Sequence, residues 1–216
     1  MTGDIVLYDY WRSTASYRVR IALNLKGLAY RSAPVNLLEG AHKTDAHRER
    51  QPQGFVPALD IDGMTLTQSL AIIRYLDSRA PQPPLFPTDP AVRAQAEAVA
   101  HAIAMDIHPV CNLSVAKTVM DWVGGDEATR TATRLAWMQT FIGRGLDAVE
   151  TMLPAVDEGE FAFGDRPSVA DLCIVPQLYN ARRWSLDPAR WPRLTRVETT
   201  CFGLEAFRVA RPEAVG

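Results

Sequence analysis

Apolar and polar positions change their spacing along this chain, and each change marks an element. Ile5 to Tyr8 is a short apolar run of β-forming residues, whereas Val19, Ala22 and Leu23 recur at the i, i+3, i+4 spacing of a helix's buried stripe. Between them lies Arg12-Ser13-Thr14-Ala15-Ser16-Tyr17-Arg18-Val19-Arg20, so a strand passes through a hydroxyl-rich turn into a helix. Gly27 stops that helix and Tyr30 to Val35 predicts a second short strand. Residues 39–53 are polar with weak periodicity, enough for one short helix. Val56 to Ile61 predicts a strand, Asp62-Gly63 a two-residue turn and Met64 to Thr67 the returning strand of a β-hairpin. Pro57 cannot donate to a ladder, so it marks an edge, an end or a cis bond. Leu70, Ile73 and Leu76 then predict a helix with Ser69 as its cap.

The pattern changes character after residue 80. Pro81, Pro83, Pro84, Pro87 and Pro90 can continue neither a helix nor a central strand and predict a linker over 81–90. Beyond it only helical periodicity is present, over Val92 to Val123 and Ala128 to Leu153, separated at Gly124-Gly125. Ser168-Val169-Ala170-Asp171 has the S-x-x-D form of a capping box and opens the apolar run Leu172 to Val175, which predicts a central helix. Pro192 to Ala210 is expected to complete the bundle. The organisation predicted is an α/β domain over 1–80, the linker, and an all-helical domain over 91–216.

Composition narrows the function. With 216 residues and a net charge of −2, the chain is expected to be a soluble globular protein. Its Lys and Arg residues are scattered, which leaves no footprint for nucleic acid or an anionic membrane. No apolar run approaches the roughly 18 residues needed to span a bilayer, and the N-terminus lacks a secretory pattern, so a cytoplasmic location is expected. Cys111, Cys173 and Cys201 fall in no paired spacing and are read as buried thiols of a reducing compartment. His42, His47, His101 and His108 form no His-x-x-x-His pair, and no metal site is expected.

Two places carry candidate chemistry. Ser13, Thr14 and Ser16 stand at the start of the first helix, where unpaired backbone N–H groups and the helix dipole favour negative charge; one of these hydroxyls could equally be a simple N-cap. Gln68-Ser69 repeats the arrangement at a second helix.

Taken together, the element order resembles that of the glutathione transferases, with a thioredoxin-like N-terminal domain built on a mixed four-stranded sheet, and an all-α C-terminal domain. Ser13 to Leu23 is similar to the zeta-class signature Ser-Ser-Cys-x-x-Arg-Val-Arg-Ile-Ala-Leu. Gln68-Ser69-Leu70-Ala71-Ile72-Ile73, Asp106-Ile107-His108-Pro109 with Asn112-Leu113-Ser114, and Ala170 to Gln177 also resemble that class. The resemblance implies a homodimer acting on a small molecule, a glutathione-dependent cis–trans isomerase of maleylacetoacetate working by thiolate addition, bond rotation and elimination. Alternatives are a maleylpyruvate isomerase, a broader transferase or dehalogenase, and a non-catalytic module. It further implies that Ser13, with Thr14 and Ser16, serves the glutathione sulfur and that Ala15, Tyr17 and Arg18 line the same turn. Val56 ahead of a cis Pro57 would pair with the tripeptide backbone, Gln68 and Ser69 would take its γ-glutamyl carboxylate, and His42, His108, Asn112, Leu113 and Ser114 would complete the site. Arg12 and Arg183 are candidate clamps for substrate carboxylates, because a guanidinium can bind both oxygens. Arg18, Arg20 and Arg182 are expected otherwise to form a solvated or ion-paired face. The chain departs from the signature at Ala15, where the class has cysteine, and at Arg50-Gln51-Pro52-Gln53, where relatives more often have Leu-Asn-Pro.

Overall fold

The computed structural model describes residues 4–154 and 159–216. They form two compact units, one of residues 4–85 together with 202–216 and the other of residues 86–154 with 159–201.

The first unit is built on a four-stranded sheet of β1 (Val6–Asp9), β2 (Arg31–Pro34), β3 (Ala58–Ile61) and β4 (Met64–Thr67), in the order β2-β1-β3-β4. Strands β1 and β2 are parallel and are connected through α1 (Thr14–Leu25). β3 runs antiparallel to β1 and forms the predicted hairpin with β4 across Asp62-Gly63. The turn needs two left-handed residues, and Asp62 and Gly63 supply them at φ 49° and 77°. The polar stretch before β3 folds as a 3₁₀ turn, Ala41–Lys43, and the short α2, Asp45–Arg48. α3 (Ser69–Arg79) closes the layer, and Leu7, Val19, Leu23, Leu59, Ile72, Ile73 and Leu76 are fully buried between sheet and helices.

Three buried cations were expected on a solvated or ion-paired face or not at all. Arg18 and Arg20 are each 1% exposed, so the solvated reading fails; Arg20 pairs with Asp9 at 2.7 Å. Lys26 Nζ is buried too, donating to Asp77 Oδ1 at 2.6 Å and to the Pro83 carbonyl at 2.5 Å, while the same carboxylate oxygen accepts the Leu85 N–H at 2.8 Å. The proline segment is thereby pinned to α1 and α3. Two X–Pro bonds are cis, Val56-Pro57 and Gln82-Pro83.

In the second unit, α4 (Pro90–His101) starts on the last proline of the expected linker. Proline suits the first helical position, and Asp89 caps it by accepting the Ala91 and Val92 N–H groups at 2.9 Å each. The stretch expected as one helix to Val123 is interrupted. It widens to a π-helical segment, Ala102–Ile107, continues through α5 (His108–Val110), and restarts as α6 (Leu113–Val123). The restart belongs to Asn112, whose side chain caps α6 by accepting the Ser114 N–H at 3.0 Å. α7 (Glu127–Met152) packs closely on the π segment: a Cβ on Gly145 would lie 2.3 Å from Ile107 Cγ1. α8 (Val169–Arg183) is buried continuously from Val169 to Leu178, as so apolar a sequence requires. Its start is fixed by Asp171, which accepts the Ser168 N–H at 2.7 Å, the Ser168 hydroxyl at 2.8 Å and the Ala162 N–H at 2.9 Å. Arg182, near its end, pairs with Glu198.

The C-terminal segment was expected to finish the bundle. α9 (Pro192–Phe202) does belong to the second unit, but from Phe202 onward the chain groups with the first. There α10 (Glu205–Arg208) and α11 (Pro212–Val215) are tied to α1 by hydrogen bonds from Asn24 to the Ala206 carbonyl at 3.1 Å and from Arg20 to the Ala210 carbonyl at 2.9 Å.

Candidate active site

At the start of α1, Ser13 is the N-cap, with extended backbone angles (φ −69°, ψ 120°) and its Oγ accepting the Ser16 N–H at 3.2 Å. A hydroxyl has two acceptor lone pairs and one O–H, so capping leaves the O–H available as a donor. Ser13 is half-buried, whereas Thr14, Ala15, Ser16, Tyr17 and Arg18 behind it are buried. Ser13 is therefore the hydroxyl that α1 presents at its positive end, and Ser16 is sealed into the unit. The cap and the anion-binding reading are compatible: one oxygen serves both.

The second hydroxyl site differs from expectation. Ser69 is not the cap of α3 but its first residue; Gln68 is the N-cap, held at φ 66°, a left-handed conformation that side chains rarely adopt. Such backbone strain typically costs about 1–3 kcal/mol and concentrates at ligand-holding positions. Ser69 Oγ accepts from Arg18 Nη1 at 3.1 Å, which fixes its lone pair and leaves its O–H as a donor at a helix N-terminus. Arg18 thus links the start of α3 to α1. Gln68 donates to Gln53 Oε1 at 2.8 Å, and Gln51 donates to the same oxygen at 3.4 Å while accepting the Phe55 N–H at 3.3 Å. The glutamines that depart from the expected Leu-Asn-Pro are hence structural, holding the segment that leads into Val56. Because the β3 ladder begins at Ala58, Val56 lies beyond its paired part, next to the cis Pro57.

His42 sits in the 3₁₀ turn Ala41–Lys43. Burial, followed by the charges of Lys43, His47 and Arg48, lowers its pKa, so the ring is held towards its neutral form. Arg12 is exposed, and its guanidinium lies 4.1 Å from the centroid of the Trp11 ring.

The remaining candidates lie in the second unit. His108 is half-buried at the start of α5; Asn112 caps α6 and also accepts from the Ser114 hydroxyl at 3.1 Å; Leu113 and Ser114 are exposed on the first turn of α6. Arg183 is exposed at the end of α8.

The cysteines make poor nucleophiles. Burial pushes Cys111 up to about 11 and Cys201 well above the ordinary thiol range, and Cys173 is fully buried. With Ala15 at the signature position, a thiolate for chemistry near neutral pH has to come from a bound molecule.

Residues 7–84 match the model of the glutathione S-transferase N-terminal domain, and residues 134–197 that of the glutathione S-transferase C-terminal domain. The chain is 55% identical over 213 residues to a maleylacetoacetate isomerase of Rhizobium meliloti (strain 1021), spanning 99% of this chain and 98% of that one. It is 42% identical over 210 residues to a maleylpyruvate isomerase of Ralstonia sp, spanning 96% and 97%. Among solved structures, it is similar to the holo structure of a maleyl pyruvate isomerase, a bacterial glutathione S-transferase in the zeta class (TM-score 0.90, 40% identity, 97% of both chains). It is also similar to a maleylacetoacetate isomerase from Anaeromyxobacter dehalogenans 2CP-1 with GSH bound in the active site (TM-score 0.85, 40% identity, 98% of this chain and 96% of that one).

Proposed function

The chain belongs to the glutathione S-transferase family, in its zeta class, and from that membership we propose that it is a glutathione-dependent cis–trans isomerase converting maleylacetoacetate to fumarylacetoacetate. Glutathione, when bound, supplies a thiolate that adds reversibly to the cis double bond and so frees it to rotate. The observation that carries this reading is the Ser13 hydroxyl, which caps α1 and still has its O–H to give to a sulfur at the helix's positive end.

The chain's own groups fit the tripeptide. Val56, beyond the paired part of β3, offers its backbone as the edge to which an extended peptide adds. Ser69, oriented by Arg18, and Gln68, braced by Gln53, present donors for a carboxylate at the start of α3. Thr14, Ala15 and Ser16 serve through the backbone of the first turn, with Tyr17 and Arg18 packed behind it. Arg12 clamps a substrate carboxylate from beside Ser13, and Arg183 is the candidate in the second unit. His42, held towards its neutral form, serves the glutathione site as a hydrogen-bond partner rather than a cation, and His108 and Asn112 to Ser114 are the glutathione candidates of the second unit. The working domain scheme is the expected 1–80, 81–90 linker and 91–216, from which the compact units differ in placing their boundary after Leu85 and in grouping the tail from Phe202 with the first unit. No helix among the described residues is long and apolar enough to cross a membrane. From the family resemblance alone, the working form is taken as a cytoplasmic homodimer.

Isomerisation of maleylacetoacetate with and without added glutathione tests the reaction, alongside maleylpyruvate and a panel of alkylating electrophiles. Isomerisation that requires glutathione is expected. Conjugation of electrophiles with no isomerisation would replace this reading with that of a general transferase, and faster turnover of maleylpyruvate would replace the substrate. Light scattering at the mass of one chain would remove the homodimer.

A further inference from the structure

Arg20 follows Ser13 by seven residues, two turns along the same side of α1, and long side chains on a helix lean towards its N-terminus. Although almost fully buried, it satisfies its donors. Nη1 donates to Asp9 Oδ2 at 2.7 Å, Nη2 to the Trp11 carbonyl at 3.0 Å and Nε to the Ala210 carbonyl at 2.9 Å, with the guanidinium carbon 5.3 Å from the Tyr17 ring centroid. One side chain therefore joins the end of β1, the turn from Tyr10 to Ser13, and the C-terminal segment. That turn sets where Ser13 stands, because the Ser13 N–H donates to the Tyr10 carbonyl at 2.8 Å and the Trp11 carbonyl is held by Arg20. The segment reaches the same turn by a second route: Gly216 lies so close to the Trp11 indole that a Cβ there would come within 2.7 Å of it.

We propose that residues 202–216, docked on Arg20, are a positioning element of the thiolate site, holding the Tyr10–Ser13 turn so that the Ser13 O–H is aimed at the sulfur. The inference rests on the glutathione reading above. Arg20 is a positioning residue: it acts through the Trp11 carbonyl and touches neither sulfur nor substrate.

The test is a chain truncated after Val209, which loses the Ala210 carbonyl, α11 and Gly216 but keeps the Asn24 tether to Ala206. The ultraviolet absorbance of bound glutathione thiolate, followed against pH, reports the quality of the Ser13 contact. Its midpoint is expected to rise by about one unit, with kcat/KM about tenfold lower below the midpoint and restored above it. Asn24→Ala, which cuts only the remote tether, is expected to leave the midpoint in place. A merely structural tail would lower activity by one factor at every pH and leave the midpoint unmoved; that result, or unimpaired activity of the truncated chain, overturns the proposal. Should circular dichroism show the truncated chain unfolded, Arg20→Lys carries the same test, because lysine keeps the charge beside Asp9 without the three fixed donors. The same rise is expected, and an unmoved midpoint overturns the proposal. Calorimetric titration of the unaltered protein separates the two readings. Failure to bind glutathione there removes the thiolate site itself, whereas normal binding with unmoved midpoints in the variants removes only the role of the tail.

Discussion

Replacing Ser13 with alanine removes two separable things. The Oγ is an acceptor for the Ser16 N–H, and a Ser-to-Ala change at an N-cap costs about 1 kcal/mol of stability. In a chain of this size that is a fall in Tm of about 2–4 °C. The O–H is also the donor proposed for the glutathione sulfur, and a hydrogen bond to a charged group contributes about 1.5–3 kcal/mol. Converted at 1.36 kcal/mol per unit, its loss raises the bound thiol's pKa by about 1–2 units. At pH below the unaltered thiol's pKa the thiolate fraction, and with it kcat/KM, should then fall about 10–100-fold, while at pH above the raised pKa the deficit should vanish. Ser13→Asp separates the terms, since an ionised carboxylate can still cap the helix but has no hydrogen to donate: it should recover the Tm without recovering the neutral-pH rate. The assay is the pH profile of glutathione-dependent isomerisation beside a thermal melt. A Ser13→Ala protein whose loss is the same at all pH values, or that keeps full activity at neutral pH, would refute the reasoning and move the sulfur's partner elsewhere.

The other predictions concern buried groups. Burial is the main cause of the raised Asp171 pKa, with the Ala162 and Ser168 hydrogen bonds opposing it. The folded state then binds this proton more tightly than the unfolded one, so Asp171 contributes stability below its unfolded pKa that is lost as pH rises through the folded value. Subtracting the calorimetric Tm profile of Asp171→Asn from that of the unaltered protein should expose this falling component. A flat difference would contradict it. Lys26→Met leaves the Asp77 carboxylate and the Pro83 carbonyl without their buried cation and should cost about 3 kcal/mol in urea unfolding, the lower end for a broken buried pair because Asp77 is partly wet. Gly145→Val should destabilise by about 1–3 kcal/mol or more, read by thermal melting, since Ile107 occupies the space a side chain needs.

Features written in local pattern were legible in the sequence. The Asp62-Gly63 hairpin, the hydroxyl-capped start of α1 and the Ser168 to Asp171 helix start each depend on residues a few positions apart, and the structure places all of them. The Asn112 cap belonged with these: Pro109 followed by an Asn that can accept from the Ser114 N–H is a helix restart signal, masked by the apolar periodicity on either side. The burial of Arg18 and Arg20 could not be read in the same way. Arg18 bonds Ser69, 51 positions away, and Arg20 bonds Ala210, 190 positions away, while Asp9 meets Arg20 only because the strand-to-helix turn folds back between them; no helix or strand spacing rule predicts these contacts. In the sequence Ser69 has the pattern of a cap, because nothing there signals that Gln68 adopts a positive φ.

The return of residues 202–216 to the first unit bears on how the molecule is made. A ribosome releases this segment only after the whole of the second unit, so the guanidinium of Arg20 must wait through that synthesis without its Ala210 acceptor. An N-terminal unit that usually matures first during translation is here finished last. A nascent chain arrested before Phe202 would carry a sheet already assembled beside an opening turn not yet locked in place.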